Sequence, residues 1–311
     1  MKFRLVDAHA HINSEFYPPH RRAGLLNDDV ETDLGDWREV LARAAGAGIA
    51  VVNVGTNRRD SEENVKIAEE MREGVWATVG LHPTEKEDLP DGRQGFDYEF
   101  YRKMAEKKQV VAIGECGLDY NKFKNQKSIP TLEKGRNSDR SVGEIKIEEG
   151  EFLEEKRRQE NIFREQIKLA REVGKPLMLH LRTEEAYADA IEILEEKRKL
   201  VLAVIFHFYS GTREQTERLL TWENFYVTVG GVITFSRDYD EVLKMIPIEK
   251  MMVETDSPFV APEPYRGKRN EPAYMVETVK KLAEIKGVSE EEAARMTTEV
   301  ARRIFDLGNK S

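Results

Sequence analysis

The sequence predicts an α/β chain folded as a (β/α)8 TIM-type barrel with an insertion after the fourth strand. Three observations carry this expectation. Eight short apolar runs alternate with longer amphipathic ones along the 311 residues. Most of the short runs are rich in Val, Ile and Leu without polar alternation, as strands buried on both faces are. The length suits one closed barrel of roughly 250 residues with additions, so residues 1–311 are taken as a single unit. An open doubly wound sheet is the alternative with the same alternation.

The strand-like runs are Phe3–Val6, Ala50–Val54, Val75–Gly80, Val110–Gly114, Pro176–His180, Val201–His207, Phe225–Val229 and Met251–Glu254. Helix-like stretches fall between them at Asp36–Ala47, Ser61–Glu73, Tyr98–Lys107, Phe152–Val173, Glu184–Arg198, Thr212–Thr221 and Tyr239–Met245, and two more come after at Pro272–Lys286 and Ser289–Leu307. Ser289 before Glu290–Glu292 reads as an N-cap with acidic residues in the first turn. Gly74, Gly174 and Gly287 stand where helix C-termini should stop. Asn13–Gly35 and Asn121–Gly150 break the rhythm, and stretches of that length without clear periodicity are functional or mobile.

The charge balance excludes several function classes. A net charge of -9 does not suit non-specific coating of nucleic acid, although a local basic cleft stays open. The single cysteine, Cys116, allows no internal disulfide and fits a reducing, cytoplasmic setting. Met1–Ala10 lacks the apolar core of a signal peptide, and the sequence has no apolar run of the length that crosses a membrane.

Chemistry concentrates at strand ends. In Asp7-Ala8-His9-Ala10-His11, residues two apart in extended chain point to one side, so His9 and His11 can aim two imidazoles at one point. Glu115 follows the fourth run, His180 ends the fifth, His207 ends the sixth and Asp256 follows the eighth. In a barrel these strand ends ring one mouth, where active sites are built. His9, His11 and Asp256 can hold one divalent cation, His180 and His207 a second, and Glu115 can bridge both. Two such ions activate a water and neutralise charge on the substrate, and Asp256 can accept the water's proton. Catalytic roles are therefore expected of Asp256 and Glu115, with Mg, Mn or Zn as cofactor; a His/carboxylate donor set does not choose among them.

The motifs together resemble one family. Asp7–His11, Gly80-Leu81-His82-Pro83, Gly114-Glu115-Cys116-Gly117-Leu118-Asp119-Tyr120, Pro176–Arg182, His207-Phe208-Tyr209-Ser210-Gly211, Glu254-Thr255-Asp256-Ser257-Pro258-Phe259 and Arg266-Gly267-Lys268-Arg269-Asn270-Glu271-Pro272 are similar, in this order, to the TatD family of metal-dependent deoxyribonucleases within the amidohydrolase-like superfamily. The resemblance implies a TIM barrel, two divalent metal ions at its mouth, and hydrolysis of phosphodiesters in DNA from the 3′ end. It maps the metal roles onto His9, His11, Glu115, His180, His207 and Asp256. Many amidohydrolases bridge their metals with a carbamylated lysine, and Glu115 at that place favours the nuclease-like branch. Hydrolysis of a small amide, lactone or phosphoester is the alternative within the superfamily. The family pattern also makes Asn121–Gly150 an insertion and Asn13–Gly35 an extended loop, both expected to overhang the active-site face.

Further residues are candidates for substrate contact. His82 sits at a strand end. Arg182 can face the same mouth and suits phosphate through paired donors. Tyr209 and Ser210 offer hydroxyls. Arg266, Lys268 and Arg269 form a basic cluster that can steer a polyanion, or else pair with Glu263 and Glu271. Asp119 and Glu254 are expected to orient histidine ligands. Cys116 reads as a small buried residue.

Overall fold

The structure is a computed structural model, and it describes residues 3–18, 35–89, 91–123, 142–195, 199 and 201–308. Eight strands run in sequence: β1 (Leu5–Ala10), β2 (Ile49–Asn53), β3 (Val75–Val79), β4 (Val110–Asp119), β5 (Leu177–Arg182), β6 (Val204–Phe206), β7 (Phe225–Val229) and β8 (Met251–Val253). Each pairs in parallel with the next, in the order β1 to β8. The two ends meet. A parallel bridge joins Ala10 to Ser257, His11 N donates to Ser257 O at 2.7 Å, and Asp256 N donates to His9 O at 2.9 Å. The sheet is therefore a barrel and not an open doubly wound sheet.

Helices α1 (Trp37–Gly46), α2 (Arg58–Met71), α3 (Tyr98–Ala105), α4 (Val142–Val173), α5 (Glu184–Glu195), α6 (Arg213–Leu219), α7 (Asp240–Met245), α8 (Met275–Lys286) and α9 (Glu290–Ile304) follow the strands. Their ends obey local chemistry. Ser289 Oγ accepts from Glu292 N at 3.1 Å, Thr212 and Gln215 form a reciprocal capping box, and Gly287 closes α8 in the left-handed conformation. Gly74 is not the stop of α2; Arg72, at φ 61°, caps that helix two residues earlier. The core has two parts. The larger lies between strands and helices, with Leu5, Val40, Ile113, Phe163, Leu179 and Phe206. The smaller joins Val6, Ala8, Ala50, Ala112, Met178 and Met252 to Val300, Ala301 and Ile304 of α9. The narrow lumen explains its alanines, and α9 seals the end away from the mouth.

Three strands outrun the sequence expectation, and this places the site. The expected β1 stopped at Val6 and the expected β4 at Gly114, yet pairing continues through irregularities between Asp7 and Ala10 and between Ile113 and Cys116. A bulge shifts the side-chain alternation by one residue and re-aims the side chains beyond it. Val6 and Ala8 belong to the lumen cluster while Ala10 belongs to the outer one, so the turned alternation sends His9 and His11 inward. The same change in β4 turns Glu115 inward and Cys116 outward. Gly114 and Gly117 make it possible: both have positive φ, and a Cβ there would run into the Met178 and His180 carbonyl oxygens of β5. β5 likewise runs on past His180 to Arg182.

The expected non-periodic segment Asn121–Gly150 is helical from Val142, where α4 begins ten residues before the expected Phe152. The frequent Glu and Gly of that first stretch hide its periodicity in the sequence. The rest of the insertion from residue 124 to 141, and residues 19–34 of the first loop, lie outside the described residues, and with them that part of the expectation that both overhang the mouth; of the described part of the first loop, Glu15 and Phe16 line the mouth.

Candidate metal centre

The mouth of the barrel opens into a cleft of about 820 Å³ with His11, His82, Glu115, His180, His207 and Asp256 at its base. His9 lies beneath them, fully buried, its ring stacked on that of His207 at 3.8 Å. The six residues expected to bind metal, scattered from position 9 to position 256, thus come together in space.

Each imidazole is held by its second nitrogen, which fixes what the first can do. His11 Nδ1 donates to the Val54 carbonyl at 3.1 Å. His9 Nδ1 faces the Met178 sulfur at 3.2 Å. His207 Nδ1 faces Glu254 at 3.3 Å, and His180 Nε2 faces Asp119 at 3.3 Å, so Glu254 and Asp119 stand where the sequence expected them. Glu254 also accepts from Phe208 N at 2.9 Å, which fixes the carboxylate itself.

The free nitrogens converge on carboxylates. His9 Nε2 and His11 Nε2 are 3.1 Å apart and lie 3.5 and 3.6 Å from Glu115 Oε2. They lie 3.7 and 3.5 Å from Asp256 Oδ1. On the other side, Glu115 Oε1 is 2.7 Å from His180 Nδ1, 3.2 Å from His207 Nε2 and 3.7 Å from His82 Nε2. With the outer nitrogens of His9 and His11 already engaged, two imidazole lone pairs and two carboxylate oxygens face one point. That convergence is repulsive unless a cation or protons fill it. Ligands about 2.1 Å from a cation stand roughly 3.0–3.4 Å apart at octahedral or tetrahedral angles, close to the spacings seen here. The donor set fits divalent cations.

The acid–base balance agrees. Burial disfavours protonation of His207, but the Glu254 and Glu115 carboxylates outweigh it and hold His207 well above its ordinary value. Burial likewise opposes protonation of His180, and Asp119 and Glu115 overcome it. Burial raises the Glu115 carboxyl, yet His207, His9 and His180 bring it well below its usual range. For Asp256 burial is again outweighed, by the hydrogen bond from His11 and the charges of His207 and His9. His82 differs: burial, then His180, depress it to about 3, leaving a neutral ring.

The grouping departs from the sequence expectation. Metal-compatible groups form from His9, His11 and Glu115, from His9, His207 and Asp256, and from His82, Glu115 and His180. His207 stacks on His9, whereas His180 meets His82 edge to face at 4.2 Å. His82, taken from the sequence as a substrate contact, therefore stands among donor atoms.

The other substrate candidates divide. Arg182 and Ser210 line the cleft. Tyr209 does not: its ring is buried and its hydroxyl is paired with Thr216 Oγ1 at 2.8 Å. Arg266, Lys268 and Arg269 do not line it either. Arg266 lies over the Phe235 ring at 3.7 Å, Lys268 lies 5.8 Å from the Tyr265 ring centre, and Arg269 covers Tyr17 at 4.3 Å while donating to Phe16 O and Gly35 O. Consecutive position made them look like one patch, but aromatic rings and loop carbonyls take two of them. Glu271, their expected partner, is engaged by Arg43 at 2.6 Å. Cys116 is buried, its thiol donating to Met178 O at 3.4 Å.

Sequence reasoning missed the cleft walls, including Phe16, Thr56, Asn57, Asp60 and Phe259, and the supports from α4. Gln166 grips the backbone beside His82, accepting from Leu81 N and donating to Leu81 O, each at 2.9 Å. Gln159 does the same to Asp119 at 2.8 and 3.0 Å. The only sequence signal was two glutamines seven apart on one helix, both on the side facing the barrel.

The family profile described as TatD related DNase matches residues 6–306. The chain is 33% identical over 306 residues to an uncharacterized metal-dependent hydrolase, YabD, of Bacillus subtilis, covering 97% of this chain and 99% of the relative. It is 31% identical over 279 residues to a 3′-5′ ssDNA/RNA exonuclease, TatD, of Pantoea ananatis, covering 88% and 94%. Its fold is similar to the crystal structure of a TatD homolog, YJJV, of Escherichia coli, with TM-score 0.72 at 23% identity, covering 98% of this chain and 99% of the other.

Proposed function

Because the chain belongs to the TatD-related DNase family of metal-dependent hydrolases, we propose that it is a 3′-5′ exonuclease that cleaves phosphodiester bonds at the end of single-stranded DNA. One observation carries the reading: two carboxylates and five imidazoles, His82 included, converge at the strand ends, with outer nitrogens of four of the imidazoles tied to fixed partners. His9, His11 and Asp256 would hold one divalent cation, His180 a second, and Glu115 would bridge. His207 lies between the two groups, near Glu115 and stacked on His9. Bound there, divalent cations lower the pKa of a water and polarise a phosphoryl oxygen.

The protein's own groups do the rest. Asp256 holds its carboxyl ionised and is the group to receive the attacking water's proton. Its backbone, in the left-handed region at φ 55°, is pinned to the first strand by the bond from its N–H to His9 O. Glu254 and Asp119 keep His207 and His180 turned inward. Arg182, exposed on the rim, is placed to pair with a phosphate oxygen through its forked donors. Residues 1–311 act as one catalytic unit, and a cytoplasmic setting suits the single buried thiol. Among the described residues no helix is long and apolar enough to cross a membrane.

The test is a 3′-labelled single-stranded oligodeoxynucleotide with Mg²⁺ or Mn²⁺. Progressive shortening that stops with chelator is expected. An intact oligonucleotide beside rapid turnover of a small amide, lactone or phosphoester would replace the nuclease with the superfamily alternative.

A further inference from the structure

The cleft has two unlike walls. On the side of β1 and β6–β8 stand Phe16, Phe208, Tyr239 and Phe259. Around the rim after β2 and β3 stand the carboxylates of Asp60, in the first turn of α2, and Glu85, with Glu15 next to Phe16 on the loop after β1. The acidic wall repels a polyanionic backbone and gives it no path beyond the metal centre on that side. The aromatic wall offers planar apolar surface directly beside the reacting groups.

Within it, Phe16 and Phe259 are built differently from ordinary surface rings. They meet edge to face, centroids 5.4 Å apart at 78°, and each flanks the His11 ring, at 6.2 and 6.1 Å. Edge-to-face contact of this kind stiffens the pair. Both backbones are held. Phe16 N donates to Asn13 Oδ1 at 3.2 Å and its carbonyl accepts from Arg269; Phe259 N donates to Asp256 O at 2.9 Å and its carbonyl accepts from Asn270 Nδ2 at 2.7 Å. Phe259 nevertheless stays 46% exposed. Among the described residues four large apolar side chains are exposed, and Phe259 is the one of them that lines the cleft. Phe235, another, lies under Arg266.

We infer that Phe259, braced by Phe16, is the stacking platform for the terminal nucleobase of a single-stranded substrate, placing the adjoining phosphodiester over the metal centre. This rests on the nuclease reading and adds to it the feature recognised: an unstacked base at a free chain end. Every base has a π-face, so the platform discriminates weakly among bases while rejecting an end without a base. It also excludes a paired end, whose terminal base is already stacked and hydrogen-bonded.

The experiment uses the full chain with Mn²⁺ and two single-stranded oligodeoxynucleotides, identical except that one ends in an abasic residue. For the native protein the abasic end should raise KM for the first cleavage roughly tenfold, the scale of one lost base–aromatic stack. Phe259→Ala should raise KM by a similar factor on the normal end and lose most of the distinction between the two, whereas Phe259→Trp should restore it. The side chain is exposed, so the melting temperature of each variant, checked in parallel, should stay that of the native protein. Equal KM for the two ends in the native protein, or an equal loss on both ends in Phe259→Ala, overturns the platform while leaving the nuclease reading in place. Failure of the native protein to shorten either oligonucleotide overturns both.

Discussion

Single side chains decide the chemistry through what holds them. In the proposed mechanism Asp256 joins two tasks, a metal-donor atom, 3.5 Å from His11 Nε2, and an ionised acceptor for a proton. Asp256→Asn keeps shape and hydrogen-bonding capacity but loses both, so kcat should fall a hundredfold or more with the fold retained; native-like turnover in a folded variant would take Asp256 out of the mechanism. Glu254 touches no substrate in this arrangement, yet it fixes His207 and accepts from Phe208 N. Glu254→Gln should weaken metal affinity about 10–100-fold, read by metal titration. Cys116 is the contrasting case. Burial, with Glu115 alongside, pushes its thiol well above its ordinary range, so it is no nucleophile at neutral pH. Cys116→Ser should keep activity within about twofold, since the metal-centred route does not use a thiol.

At the scale of elements, the site depends on bulged strands and on one long helix. The bulges in β1 and β4 set which residues face the mouth, and α4 steadies the two strand ends nearest the second group of donors. Gln166 and Gln159 each satisfy one backbone N–H and one C=O that would otherwise be buried without partners. Gln166→Leu strands both Leu81 groups and should cost about 2–6 kcal/mol in urea unfolding, at about 1–3 kcal/mol for each unsatisfied group. Gln166→Glu, which still accepts from Leu81 N, should cost less. Equal stability of Gln166→Leu and the native protein would show that water or a shifted backbone replaces the clamp. The helices themselves were legible because capping chemistry is local. Asp36, Thr212 and Ser289 each bond to the first turn of the helix they precede.

For the molecule as a whole, the proposed metal centre would tie the first strand to the last. His9 and His11 on one side and Asp256 on the other meet where the barrel closes, so cations bound there cross-link the seam. A ligand at 100 times its dissociation constant adds about 2.7 kcal/mol of stability, and chelation should lower the melting temperature by several degrees. Binding must also displace protons. In the metal-free protein the neighbouring carboxylates hold His207 well above its ordinary value and His180 above its own, so a cation binding there competes with protons. Titration calorimetry at pH 7 in buffers of different ionisation enthalpy should show net proton release on Mn²⁺ binding. Uptake, or none, would mean that these imidazoles are not where the cations sit.

The sequence by itself determined the alternation of strands and helices, the caps, and the identity of the residues that gather at the mouth. These depend on local periodicity, on turn and cap chemistry, and on residue types whose side chains suit cations. It did not determine where β1 and β4 end, because a bulge preserves pairing while breaking the alternation that defines a strand in one dimension. Nor did it reveal that His82 stands among donors, that Tyr209 and Arg269 serve the scaffold, or that Phe16 meets Phe259. Those positions lie on separate loops and become neighbours when the barrel closes and brings the ends of β1 and β8 together. Tertiary structure alone decided them, since packing across the mouth fixes which side chains share one volume and which are spent on holding it.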